Sequence, residues 1–120
     1  MLRGEIWLVN LPFTGNSIQG GFQRPMLIIA NNKACEYSPV IHALPLTSQS
    51  KKWMPTHVEI STSSWLIKNS TALCEQTMLL SKDVFINKIG VCDDLTMRKI
   101  DQGISIQFGL SFNTNKMAYA

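Results

Sequence analysis

Apolar and polar positions along this chain alternate over short spans, and the pattern breaks repeatedly at glycine and proline. Residues 4–11 (GEIWLVNL) are rich in β-branched and aromatic side chains and stop at Pro12, which predicts a strand running into a turn. Residues 12–23 hold Pro12, Gly15, Asn16, Gly20 and Gly21 with few large apolar groups, and read as a long mobile loop. Two continuous apolar runs follow, residues 25–30 (PMLIIA) and 40–46 (VIHALPL), each the length of a buried strand. Residues 57–60 alternate, residues 70–74 are small and β-branched, and residues 88–91 supply one more short candidate. The pattern therefore predicts about six strands, none separated from the next by a long helix.

Helical spacing comes last. Asp93 or Asp94 can cap a helix in which Met97, Ile100, Ile104, Phe108 and Ser111 recur at intervals of three and four. Gly103 on that helix allows close approach to a neighbour at some cost in helix propensity. The expected architecture is one amphipathic helix packed on a barrel or curved sheet. At 120 residues the chain has room for one core. Residues 1–112 are expected to form a single domain and residues 113–120 a tail.

Hydrophobic residues at 45% and charged residues at 16% place the chain among globular proteins. No apolar run reaches the roughly 18–20 residues of a membrane-spanning helix. Glu5 and Asn10 interrupt the stretch where a secretory signal would be unbroken, so a soluble cytoplasmic protein without a membrane partner is expected. Cys35, Cys74 and Cys92 leave one thiol over in any disulfide scheme and form no closely spaced metal-binding pair, so they read as buried free thiols. The net charge of +3 is uneven: residues 1–91 carry eight Lys/Arg against five Asp/Glu, and residues 92–120 carry three of each. A surplus of this kind suits a polyanionic partner.

The opening string Arg3-Gly4-Glu5-Ile6-Trp7-Leu8-Val9, then Gln19-Gly20-Gly21, then Arg24-Pro25 before an aliphatic strand, resembles the MazF/PemK/Kid toxins. The likeness continues in order through Leu44-Pro45-Leu46-Thr47-Ser48, Pro55-Thr56-His57-Val58-Glu59 and Cys74-Glu75-Gln76, and runs to about Leu110. It implies a mainly β fold, an SH3-like barrel of the MazF/Kid/CcdB type with a C-terminal helix, assembled as a homodimer whose groove receives RNA. It further implies the toxin of a type II toxin–antitoxin system, a sequence-specific endoribonuclease or mRNA interferase that cuts single-stranded RNA without a metal or other cofactor. The implied partner is an antitoxin with an acidic, disordered tail, which the surplus positive charge suits.

Metal-free cutting is open to RNA because the 2′-hydroxyl attacks its own phosphate, leaving a 2′,3′-cyclic phosphate and a 5′-hydroxyl. The protein must assist proton removal, stabilise charge on the phosphorane and protonate the leaving oxygen. Three residues are expected to be catalytic. Arg24 gives paired hydrogen bonds to phosphate oxygens and stays charged, so its role is charge stabilisation. Thr47 donates to a non-bridging oxygen or orients the 2′-hydroxyl, unless it only closes a turn onto its own backbone. Glu75 takes the 2′ proton, or else pairs with a lysine. RNA contacts are expected from Gln19, Gly20, Gly21 and Gln23 in the loop, from Ser48, from Gln76 reading a base edge, and from Lys51, Lys52 and Trp53, a mixture that holds phosphates and stacks a base.

The loop departs from the family pattern: Ile18 stands where many relatives carry glutamate, and Phe22 and Gln23 set Arg24 one residue further from Gly21. Ser17 or Gln19 is placed to compensate. His57 and Glu59 fall on one strand face, but two residues lack the rest of a metal site. Two competing readings stay open: a same-fold toxin that traps a gyrase complex, and a catalytically weak member that only binds RNA or antitoxin.

Overall fold

The computed structural model of the protein describes residues 1–11, 23–61, 63, 65, 66 and 68–110. In chain order these form β1 (Glu5–Asn10), β2 (Gln23–Ile28), α1 (Asn32–Tyr37), β3 (Val40–Thr47), β4 (His57–Ile60), β5 (Ser70–Leu73), β6 (Met78–Ser81), β7 (Phe85–Val91) and α2 (Asp94–Gln107), with 3-10 turns at Cys74–Gln76 and Lys82–Val84. All strand pairings are antiparallel. The order across the sheet is β4-β5-β3-β2-β1-β7, and β6 also pairs with β3. The long β3 offers Val40–Ala43 to β6 and Leu46–Thr47 to β5. Mainly β structure with a C-terminal helix agrees with the sequence reading. The barrel itself does not close, since among the described residues no ladder joins β6 to β7.

Side-chain alternation sends apolar groups to both faces of β1, β2 and β3, so two cores result. The inner one gathers Val9, Met26, Ile28, Ile41, Ala43, Leu80 and Phe85, with Cys35 of α1 added to it. The outer one gathers Ile6, Leu27, Leu44, Leu46, Val58, Ala72 and Ile100. Asp93 caps α2 by accepting from the Thr96 amide at 2.7 Å, and the helix buries Ile100 and Gly103. Phe108, expected on the packed face, lies past the last turn and is exposed; Ser111 lies outside the described residues.

Three elements differ from the sequence reading. α1 has one buried residue, Cys35, and starts on the Asn31 side chain, so six residues carry no readable helical period. β6 (MLLS) is apolar on both faces because Leu79 points outward, which hides its alternation. β7 begins at Phe85 rather than residue 88; its ladder with β1 shifts register twice, which breaks the period of two. Gln23 opens β2 rather than closing the loop, and Cys74 starts a 3-10 turn rather than ending a strand. All three cysteines are free and buried, as expected. Burial, with help from Glu75 and Asp101, pushes the Cys74 thiol up to about 12.

Candidate nucleic-acid interface

The register of the sheet builds the site. Met26 of β2 faces Pro45 of β3 at the end of their ladder, and Arg24 and Thr47 each lie two residues beyond that pair, on the same sheet face. Thr47 pairs with Thr71 of β5, which pairs with Glu59 of β4. On the other side Arg24 pairs with Val9 of β1. Thr47, Thr71 and Glu59 thus form a polar row across three strands, and Arg24 of β2 stands on the same face, the one that elsewhere carries Met26, Ile28 and Ala43. The row lies at the margin of the inner core.

Arg24 is half-buried, and among the described residues no hydrogen bond or ion pair engages its guanidinium. Burial pushes its pKa down, the direction expected for a cation withdrawn from water without a compensating anion. A bound phosphate would supply that anion. Arg3 shows the contrast: it donates to the Ile29 carbonyl and pairs with Asp101 of α2, so its charge is spent on holding the fold.

Thr47 does close a turn, because its Oγ1 accepts from the Gln49 amide at 3.2 Å. That bond occupies a lone pair and leaves the hydroxyl proton to donate toward a ligand. The turn and the donor role are therefore compatible. Ser48, Lys51, Lys52 and Trp53 follow in an exposed segment without regular structure, and Trp53 is 76% exposed. Such a ring is free to stack on a base.

Glu75 has a different environment from the expected free base or lysine partner. Its Oε1 accepts from the Thr56 hydroxyl at 3.0 Å, and its Oε2 lies 2.9 Å from His57 Nε2. Burial pushes its pKa up, but hydrogen bonds from its own amide, His57 and Thr56 outweigh this and leave it lowered. A carboxylate stabilised in this way is a weaker proton acceptor. It fixes the 3-10 turn from which Gln76 projects into solvent.

Gln23 is exposed opposite Asn10, and alternation sends it to the other sheet face from Arg24, so the structure does not bring these two together. Gln19, Gly20 and Gly21, with Ser17, Ile18 and Phe22, lie outside the described residues. His57 and Glu59 do share a strand face, but His57 turns to Glu75, and among the described residues no group of three metal-binding side chains forms. Thr71 and Glu59 are the residues of this row that sequence reasoning did not assign to the site. The alternation of Glu59 was visible, but its alignment with Thr47 depends on pairing through β5.

Residues 2–108 match the family of PemK-like, MazF-like toxins of type II toxin–antitoxin systems. The chain belongs to this family. Among its relatives is the endoribonuclease MazF of Staphylococcus saprophyticus, 37% identical over 112 residues that make up 92% of each chain. The MazF-like fold is shared by an endoribonuclease from a mycobacterial species solved with its cognate antitoxin, at a TM-score of 0.76 and 24% identity over 94% of this chain and 99% of that one. It is shared too by a MazE–MazF structure from Deinococcus radiodurans, at a TM-score of 0.73 and 18% identity over 92% of this chain and 98% of that one. The open sheet with its C-terminal helix is thus the fold of MazF toxins.

Proposed function

We propose that this MazF-class endoribonuclease cuts single-stranded RNA, messenger RNA in particular, at a specific sequence and without a metal. The 2′-oxygen forms a bond to phosphorus as the bond from phosphorus to the 5′-oxygen breaks. The 2′ proton passes to solvent water and a solvent proton returns to the 5′-oxygen, so no co-reactant is consumed and the ends are a 2′,3′-cyclic phosphate and a 5′-hydroxyl. Arg24 and Thr47 stabilise the charge that builds on the non-bridging oxygens. Glu75 is a positioning residue that holds His57 and the turn carrying Gln76. Gln76, Ser48, Lys51, Lys52 and Trp53 contact the RNA strand, and Gln19, Gly20 and Gly21 of the preceding loop are assigned to it on family likeness, whereas Gln23 opens β2 on the face away from Arg24.

The observation that carries this reading is the half-buried guanidinium of Arg24, on the same sheet face as the Thr47 hydroxyl and holding no partner among the described residues. A gyrase-trapping toxin has no use for it. Residues 1–112 act as the domain, residues 113–120 as a tail, and two copies form the working dimer in the cytoplasm. Its antitoxin carries an acidic, disordered segment that covers the same positive surface.

The test is to map the ends of RNA cut by the purified protein in EDTA. Cyclic phosphate and 5′-hydroxyl ends are expected, and Arg24→Ala should lower the rate about 10²–10³-fold with an unchanged circular dichroism spectrum. Cleavage that requires added metal, or a fully active Arg24→Ala, overturns the mechanism.

A further inference from the structure

Beside Thr47 the sheet opens into a cleft of about 260 Å³, walled by Ser48, Ser50, Glu59, Ser61 and Thr71. Hydroxyls dominate its lining, and Glu59 is the one ionisable side chain among its lining residues. Glu59 is exposed, and among the described residues no hydrogen bond or ion pair occupies its oxygens. It stands two strands from Thr47 in register, about 10 Å at the usual strand spacing. A phosphate held by Arg24 and Thr47 therefore brings a flanking nucleotide to the cleft.

An open carboxylate next to a phosphate-binding row repels RNA unless the RNA gives it hydrogen bonds. A carboxylate accepts and never donates. Adenine, cytosine and guanine each carry an exocyclic amino group that donates to it. Uracil has a single ring N–H flanked by two carbonyl oxygens, which a carboxylate repels. The surrounding hydroxyls donate or accept as the rest of the base edge requires.

We infer that this cleft is a base-specificity pocket in which Glu59 selects an amino-bearing base over uracil at a nucleotide flanking the cut. The inference rests on the endoribonuclease reading above. It makes Glu59 a specificity residue, separate from the Arg24–Thr47 pair that stabilises the phosphorane.

The experiment compares wild type with Glu59→Gln on oligonucleotides that differ only by cytosine or uracil at each motif position in turn. Circular dichroism verifies the fold of the variant, whose substituted side chain is exposed. Wild type is expected to favour cytosine at one flanking position, and Glu59→Gln to narrow the cytosine-to-uracil ratio of kcat/KM there about tenfold, because the amide both donates and accepts. Ratios at other positions should not move. If wild type cuts RNA and the variant keeps every preference, or loses all of them alike, the pocket assignment fails while the nuclease reading stands. If wild type cuts no RNA, that reading fails and the pocket with it.

Discussion

Arg3 and Arg24 are indistinguishable as residue types, yet one is tied to Asp101 and the Ile29 carbonyl while the other has no partner among the described residues. The family likeness singled out Arg24, but its half-burial depends on packing. Glu75 illustrates the reverse. Its position was legible, whereas its engagement by Thr56 and His57 brings together residues 18 and 19 apart along the chain. A carboxyl group whose pKa is lowered on folding stabilises the protein above its unfolded pKa and loses that contribution as pH falls through the lowered folded value. Glu75→Gln should therefore cost about 1–3 kcal/mol at neutral pH. The difference in Tm between wild type and Glu75→Gln should shrink as pH drops below the ordinary glutamate value of 4.5. Thermal unfolding of both proteins across acid pH checks this, and a constant difference would refute the assigned hydrogen bonds.

At the scale of elements, α2 sits on the Cys74–Gln76 turn and on β4 through Gly103. A Cβ at that glycine would lie 2.8 Å from Cys74 Sγ, 3.2 Å from Cys74 Cβ and 3.3 Å from the Thr56 carbonyl. Cys74 is fully buried. Alanine favours the helix by about 1 kcal/mol over glycine. Overpacking of a tight contact costs about 1–3 kcal/mol. Gly103→Ala is accordingly expected to destabilise the protein in urea titration, and its cost should fall when Cys74→Ala is present, a non-additivity that marks direct contact. Independent, additive effects would place the helix elsewhere. The spacing of Met97, Ile100 and Ile104 made α2 legible because it has a wet face and a dry one. α1 and β6 escaped because one is anchored by a single residue and the other is apolar on both faces.

For the whole molecule, the surplus of positive charge should set how the proposed RNA binding responds to salt. Each phosphate neutralised on a single strand contributes about 0.7 to the slope of log affinity against log salt. Lys51 and Lys52 are both exposed in the segment that follows β3. Replacing both with alanine should flatten that slope by about 1.4, measured with an oligonucleotide made uncleavable by a 2′-deoxy nucleotide at the cut. An unchanged slope would remove this segment from the RNA path.

Strand content, the terminal helix, the buried thiols and the family were open to reading in one dimension, because alternation, spacing and short motifs are properties of neighbours in the chain. The row of Thr47, Thr71 and Glu59, with Arg24 on the same face of β2, was not, since it is assembled among four strands whose pairing no local pattern specifies. The failure of the ring to close, the seat of α2 on Gly103 and the pairing of Glu75 with His57 were likewise decided by packing between distant segments. Residue type prescribes what a group is able to do; only the folded arrangement determines which groups stand together and which charges are left without a partner.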